Sequence, residues 1–452
     1  MGKMASSRRV LVASLIGSAI EWFDYFLYGT LASLVFGRAF FPSEDPTVGV
    51  LLAYLTFALT FVVRPFGGIV FAHIGDRLGR KTALVMTLSM MGLGTALIGV
   101  LPTYETVGLA APLALVALRI VQGIGIGGEW GGALLLAYEH APEDRKGLFG
   151  SIPQTGVTLG MLLATICVAL VSLLPEKDFQ TWGWRLPFAV SAVSVAIGLW
   201  LRREIDETPD FTAAPPESSE PLPLLSVLRD NWREVLVAIC AKCVETAPFY
   251  IFTVLLIGYA TEKLGLGRLT ALNAVTLGAL IASIAIPCYG ALADRFSRKS
   301  VFLLGSAALG LFAVPYFMLL DLRSVAGLLG ATVVGFGLIW PAVTAVLGTM
   351  MSDMFPPRIR FTGITLGYQI GAALVGGTAP MAATLLLRMD GGNWRFVALY
   401  IIGSAAVSFG AVIGWLRFAH ATPPREPVVA NKVHSAETGR RERHGSVLAN
   451  PQ

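Results

Sequence analysis

Charge is scarce in this sequence. Asp, Glu, Lys and Arg make up 14% of the 452 residues, while 55% are apolar. A soluble globular protein carries ~25% charged and roughly 45–50% apolar residues, so this chain has too few charges to cover a water-facing surface. That excludes a disordered chain and an ordinary cytosolic enzyme, and points to lipid as the solvent. Cysteine is scarce as well. Cys167, Cys240, Cys243 and Cys288 all lie inside apolar runs, whereas a secreted disulfide scaffold places its cysteines in polar loops. Cys240 and Cys243 form a CxxC with no histidine nearby, so they read as small buried apolar side chains rather than a metal or redox site.

Long apolar runs are what the chain has instead. A membrane helix needs about 20 mostly apolar residues. Runs of that kind lie near 10–36, 48–72, 82–100, 112–136, 148–174 and 187–201, and again near 235–260, 269–292, 300–320, 325–351, 364–387 and 394–417. The first is too long for a signal peptide, contains Glu21 and Asp24, and lacks a small-residue exit, so it stays as an anchor. The expectation is an all-α membrane protein of twelve spans.

Basic residues give the orientation. The N-terminus, alternate loops and the C-terminal tail carry 23 Lys and Arg, and the other side carries 8. Only Arg64, Arg119 and Lys242 remain within spans. An even span number with both termini in the cytoplasm follows, and it accounts for the net charge of +5 without nucleic acid. The acidic, proline-rich loop 202–234 reads as a cytoplasmic linker between an N-terminal bundle, 1–201, and a C-terminal bundle, 235–417. The polar tail 418–452 is expected to be disordered.

The two sets of six repeat each other. GDRLGRK (75–81) lies between spans 2 and 3, and ADRFSRK (293–299) lies between spans 8 and 9, with Asp294 218 residues after Asp76. Arg145 and Gln154 recur 215 residues later as Arg360 and Gln369, and Trp184-Arg185 recurs 210 later as Trp394-Arg395. Two facing six-helix bundles make a transporter-like architecture with its site near mid-membrane.

The Asp-Arg-x-x-Arg-Lys loops resemble the signature loop of the major facilitator superfamily, and LRIVQGIGIGGEWGGA (118–133) resembles its fourth-span motif. IEWFDYFLYG (20–29), RPFGG (64–68) and ETPDF (207–211) narrow the resemblance to the metabolite:proton symporter family, over residues 10 to 417. Members of that family carry citrate, 2-oxoglutarate, shikimate, aromatic acids, proline or betaine. Ala72 and Ser297 stand where the signature loops usually have glycine.

An ionisable group at the bilayer centre costs at least ~2.5–3.5 kcal/mol, so each requires a partner or a wet cavity. The spans hold Glu21, Asp24, Glu129 and Glu245 with Arg64, Arg119 and Lys242; facing lipid, the seven would cost about 20 kcal/mol. Glu21, Asp24 and Tyr28 fall on one helix face, as do Arg119, Gln122 and Glu129, and Lys242 and Glu245. Arg119 and Glu129 are about 15 Å apart at the helical rise and cannot pair, whereas Lys242 and Glu245 can.

Asp24 is the expected proton carrier and Arg119 its switching partner. A carboxylate beside an arginine favours ionisation, and the same group desolvated without it favours protonation. The resemblance to sugar:proton symporters, which pair a span-1 Asp with a span-4 Arg, implies the same. Glu129 is a further coupling candidate. The candidate substrate contacts are Tyr25, Tyr28, Arg64, Gln122, Gln154, Lys242, Glu245, Tyr250, Trp340 and Gln369; Pro341 loosens the helix beside Trp340. Asp76 and Asp294 are expected to accept from helix N-termini, with Arg77, Arg80, Arg295 and Arg298 reaching carboxylates of neighbouring loops as a gating latch.

Gly123, Gly125 and Gly128 match GxGxxG, but within an apolar span they cannot open onto a nucleotide. Gly123/Gly127, Gly127/Gly131 and Gly128/Gly132 instead form close-packing GxxxG steps. The leading reading is proton-coupled symport of a small organic acid, with no cofactor or metal. The protein is expected to act as a monomer in the cytoplasmic membrane. An osmoprotectant symporter, a drug:proton antiporter and a membrane sensor are the alternatives.

Overall fold

The computed structural model describes all residues except Met1, Glu44, Gly79, Gly128, Glu129, His140, 204–223, Pro357, Arg358 and 422–452, and omits some side chains within helices. Among the described residues every regular element is a helix. Lipid offers the backbone no hydrogen-bond partners, so a long apolar run must satisfy its own amides, and the helix does this within one segment.

The helices are α1 (Gly2–Leu31), α2 (Pro46–Leu78) and α3 (Arg80–Val100), then α4, which runs Ala110–Ile126 and resumes as Trp130–Glu139. They continue as α5 (Lys146–Val171) and α6 (Leu186–Arg203). After the linker come α7 (Trp232–Glu262), α8 (Arg268–Arg295), α9 (Arg298–Leu320), α10 (Val325–Met354) and α11 (Arg360–Met389), with α12 spanning Arg395–Ala421. Eight of the described segments are long and apolar enough to cross a membrane, while Val85–Val100 and Ala110–Ile126 are shorter apolar helices. Large apolar side chains such as Leu93, Leu304 and Leu311 stand exposed on the exterior, as a lipid-facing surface requires.

The elements up to Val412 form one unit, and a second begins at Ile413. Most of the linker falls outside the described residues, and its end folds as a short helix, Leu224–Asp230. The tail is helical through Ala421 before it leaves the described residues. The cysteines depart from expectation. Cys167, Cys240 and Cys243 are free and half-buried, and Cys288 is exposed on an apolar face. A thiol is apolar enough to face lipid, so burial was not needed. The described residues hold no cluster of potential metal ligands.

The glycine steps pack α2 against α4. A Cβ on Gly67 would lie 2.0 Å from the Ile124 carbonyl oxygen, and one on Gly127 2.0 Å from that of Arg64, so only hydrogen fits. Among the described residues wide π turns occur at Ala32–Phe36 directly after α1, Ile251–Leu255 in α7, Val333–Ile339 in α10 and Ala372–Gly376 in α11. Such turns are rare and mark functional helices. Two of them adjoin a proline, Pro248 and Pro341, whose missing N–H disrupts the regular ladder.

Candidate functional site

The wide turns in α7, α10 and α11 adjoin a small cavity whose lining includes Trp22, Phe61, Arg64, Lys242, Glu245, Thr246, Phe249, Tyr250, Trp340, Tyr368 and Ala372. These come from α1, α2, α7, α10 and α11, so both sets of six helices contribute. Aromatic rings form most of the walls, with a charged group at three points.

Arg64 is the first. It is 1% exposed, and its Cζ lies 4.2 Å from the ring centre of Phe61, 4.7 Å from that of Tyr25 and 5.6 Å from that of Trp22. Rings attract the cation through their faces but accept no in-plane hydrogen bonds. Its Nε and Nη2 have no hydrogen-bond partner among the described residues.

Lys242 and Glu245 are the second and third, and they form the expected ion pair one turn apart on α7. The Glu245 carboxylate also accepts from Thr246 Oγ1 at 2.7 Å and from Thr344 Oγ1 at 3.2 Å. Lys242 Nζ lies 3.6 Å from the Tyr368 ring centre, and Trp340 Nε1 donates to the Glu245 carbonyl at 2.6 Å. Local backbone geometry sets the pair's position. Ser408 of α12 inserts its hydroxyl into the α7 ladder, accepting from Val244 N at 3.0 Å and donating to the Cys240 carbonyl at 2.6 Å. A side chain wedged into the i→i−4 ladder bends a helix, here next to the ion pair.

A second polar cluster lies within the first six helices. Asp24, 1% exposed, accepts from the Ser191 hydroxyl of α6, and Thr95 of α3 stands beside it. Arg119 Nη1 donates to Gln122 Oε1 at 2.7 Å, and Gln122 Nε2 donates to Thr95 Oγ1, also at 2.7 Å. Arg119 stacks over Tyr28 at 3.8 Å, and the Tyr28 hydroxyl bonds Thr56. Arg119 is the expected switching partner of Asp24, near it in one state and apart in another. Among the described residues they form no ion pair, and Gln122 and Thr95 stand between them.

Gln154 and Gln369 lie beside the cavity. Gln154 accepts from Trp130 Nε1 at 3.1 Å and donates to Thr344 Oγ1 of α10 at 3.3 Å. Gln369 donates to the Gly127 carbonyl of α4 at 3.2 Å. Of the candidate substrate contacts, the cavity wall takes in Arg64, Lys242, Glu245, Tyr250 and Trp340. Tyr25 packs behind Arg64, Tyr28 and Gln122 belong to the Arg119 cluster, and the two glutamines bridge helices. Glu129 lies outside the described residues. Sequence reasoning missed Trp22, Phe61, Phe249, Tyr368, Trp130 and Thr344. Tyr368 adjoins Gln369 and Trp130 adjoins Glu129, so adjacency to polar candidates was the available signal.

Polar contacts join helices at both ends of the assembly. At the end bearing ADRFSRK, Asp294 accepts from the backbone N–H of Gly147 at 2.6 Å and Leu148 at 2.9 Å, at the start of α5. Carboxylates favour helix N-termini because the first amides lack partners. Arg298 Nη1 reaches Asp353 at 2.6 Å, and Tyr138 donates to the same carboxylate at 2.7 Å. Arg295 is exposed and makes no ion pair among the described residues, since its place in the last turn of α8 turns it to water. The side chains of Asp76, Arg77 and Arg80 lie outside the described residues. At the opposite end Arg268 pairs with Glu176 at 2.9 Å and Arg388 with Asp45 at 2.6 Å. A hydrogen bond from Gln180, then Arg268, hold Glu176 below the usual carboxylate range. The backbone N–H of Thr47, with Arg388 adding less, does the same for Asp45.

Between these ends, α5 and α8 meet through paired hydroxyls: Ser283 donates to Thr158 at 2.8 Å, and Thr276 donates to Thr165 at 2.9 Å. Each donor is also within reach of a carbonyl one turn back on its own helix, at 2.8 Å in both cases. Separating the helices therefore leaves no hydroxyl hydrogen stranded, which suits an interface that opens.

A profile of the Major Facilitator Superfamily matches residues 14–366 and 243–451. The chain is 37% identical over 409 residues to the shikimate transporter of Escherichia coli (strain K12), covering 90% of this chain and 93% of that one. It is 32% identical over 414 residues to the proline/betaine transporter of the same strain, covering 88% and 81%. Its fold matches a solved D-xylose-proton symporter with a TM-score of 0.69 at 18% identity, over 90% of this chain and 97% of the other. The twelve-helix, two-bundle reading of the fold follows, and the chain is a multi-pass membrane transporter rather than an enzyme. It belongs to the Major Facilitator Superfamily, within the metabolite:proton symporter family.

Proposed function

We propose that the protein takes up a small organic acid together with protons by alternating access between the halves 1–201 and 235–417. The observation that carries this reading is Arg64, a cation on the wall of an aromatic cavity with two donor nitrogens left unbonded. A buried donor without a partner is costly, and a carboxylate matches the guanidinium fork with parallel, charge-assisted bonds. Lys242 is already neutralised by Glu245, which leaves Arg64 as the anchor. Asp24 carries the proton in this reading, Arg119 answers to its charge, and the contacts at Asp294 and Arg298 latch one end. The 23 to 8 division of basic residues supports termini, linker and tail on the cytoplasmic side of the cytoplasmic membrane. Neither a cofactor nor a second subunit is required.

The aromatic walls also favour a second reading. Rings that surround a cavity bind quaternary ammonium groups well, and a zwitterion such as betaine would place its carboxylate on Arg64. Uptake into proteoliposomes separates the two. With the outside made acidic, labelled shikimate, citrate, 2-oxoglutarate, proline and betaine are offered in turn. Accumulation of at least one acid, abolished by a protonophore, is expected. Accumulation of betaine alone transfers the assignment to the osmoprotectant reading, and no proton-dependent accumulation of any of them contradicts both.

A further inference from the structure

The cluster around Asp24 can be read by counting donors and acceptors. The Thr95 hydroxyl has one hydrogen, and its Oγ1 lies 2.9 Å from the Met91 carbonyl oxygen that accepts it. Its oxygen accepts from Gln122 Nε2. A hydroxyl has two lone pairs and one hydrogen, so while that hydrogen stays on Met91, Thr95 offers Asp24 a lone pair, and only by turning from Met91 can it donate to the carboxylate. Ser191 donates to Asp24 Oδ1, while Oδ2 has no hydrogen-bond partner among the described residues. With the Thr95 hydrogen on Met91, an Asp24 carboxylate would meet an acceptor at Thr95, whereas a carboxylic acid would meet it with a hydrogen.

Arg119 shows the complementary deficiency. Its Nε and Nη2 are buried without hydrogen-bond partners among the described residues, and its Nη1 is held by Gln122. The unbonded oxygen of Asp24 and the unbonded nitrogens of Arg119 are the atoms that a direct ion pair would satisfy. The groups facing Asp24 are Ser191 from α6 and Thr95 from α3. Tyr28 of α1 covers Arg119, and Arg64 of α2 is the other cation near Tyr25.

We propose that Gln122 is a positioning residue for proton coupling: its amide spans Arg119 and Thr95, keeping the guanidinium away from a protonated Asp24. This deepens the reading of Asp24 as the proton carrier and rests on it. When the proton leaves Asp24 to water, the oxygens gain an acceptor's need for donors, Gln122 gives up Arg119, and the guanidinium takes the carboxylate. Without the amide, Arg119 reaches Asp24 at once and the acid ionises too readily.

Infrared difference spectroscopy of the full chain in lipid follows the carbonyl stretch of a protonated buried carboxyl during a pH titration, with no substrate present. The wild-type protein is expected to show a band that Asp24→Asn removes. In Gln122→Leu the same band is expected to vanish at a pH about one unit or more lower, a tenfold or greater loss of proton affinity. Gln122→Met removes the same amide at similar length and is expected to shift the band the same way, so either variant serves if the other fails to fold. A Gln122→Leu titration that coincides with wild type overturns the proposal, as does the absence of any Asp24-dependent band. Labelled shikimate uptake then separates the two claims. Failure of the wild type to accumulate any offered acid contradicts the proposed function. Wild-type accumulation with an unshifted Gln122→Leu band contradicts only the role of Gln122.

Discussion

Gln154 on α5 and Gln369 on α11 make the same crossing in opposite directions. The first donates to Thr344 on α10 and the second to the Gly127 carbonyl on α4. They stand 215 residues apart in the duplicated sequence, and each joins its own half of the helices to the other. Repeats related by a two-fold axis place their shared site between them, and the cavity lined by Arg64, Lys242 and Glu245 lies at that boundary.

The equivalence has a measurable consequence. Interhelical hydrogen bonds in membranes contribute about 0.6 kcal/mol each, and at most ~1.7. Gln154→Ala and Gln369→Ala are each expected to cost about 1 kcal/mol in detergent unfolding, with Gln154→Ala the larger because it also strands Trp130 Nε1. The double variant should be additive to within about 0.5 kcal/mol, as for sites without shared partners. A large loss at one position and none at the other contradicts the symmetry.

Asp294→Asn keeps the side chain's shape but removes the charge that two amides of α5 donate to. Hydrogen bonds to charged groups contribute about 1.5–3 kcal/mol, so the variant is expected to populate the state open at that end. The readout is thiol labelling of Ser151→Cys, buried near the α5–α8 contact, in a background lacking the four native cysteines. Labelling should quicken at least fivefold. An unchanged rate refutes the latch.

The charges in the spans were legible because seven ionisable residues in apolar runs demand an explanation, and four of them, Asp24, Arg64, Arg119 and Lys242, are almost wholly buried. The Lys242–Glu245 pair was legible too, since both partners lie on one helix one turn apart. Helical spacing does not give the rotation of one helix against another. Hence the sequence named Asp24 and Arg119 as switching partners without giving their separation in any one state, and here Gln122 reaches Thr95, 27 residues away, and stands between them. The aromatic walls were illegible for another reason. Phe249 and Tyr368 are ordinary residues of apolar runs, and only packing distinguishes a wall from a core. Ser408, which wedges into α7 from α12, carried no sequence signal at all.

At the end opposite the latch, acid should loosen the closure. Glu176 and Asp45 are held below their ordinary range, so each ion pair contributes fully above the unfolded carboxylate pKa and is lost as pH falls through the lower folded value. The Glu176–Arg268 and Asp45–Arg388 contacts should therefore be constant from about pH 5 to 8 and weaken below ~4. A spin-label pair placed across that end should report one distance down to about pH 5 and a broadening below it. In Glu176→Gln the acid-dependent part should shrink. Broadening already at neutral pH contradicts the assignment.

Arg64 should not tolerate lysine. Lysine keeps the charge but not the planar fork, and the ammonium would be left over the rings of Phe61 and Tyr25. Arg64→Lys is expected to weaken the apparent affinity for the accumulated acid at least tenfold, which is about 1.4 kcal/mol, and Arg64→Gln more. Equal affinity in Arg64→Lys removes Arg64 from substrate recognition.

Coupling itself is tested most directly by comparing two fluxes in Asp24→Asn proteoliposomes, which cannot release a proton from that position. Exchange of labelled for unlabelled acid should persist at a rate comparable to wild type, while uphill uptake driven by an acidic exterior should fall to the protonophore-treated level. Uphill uptake equal to wild type in Asp24→Asn would contradict the account.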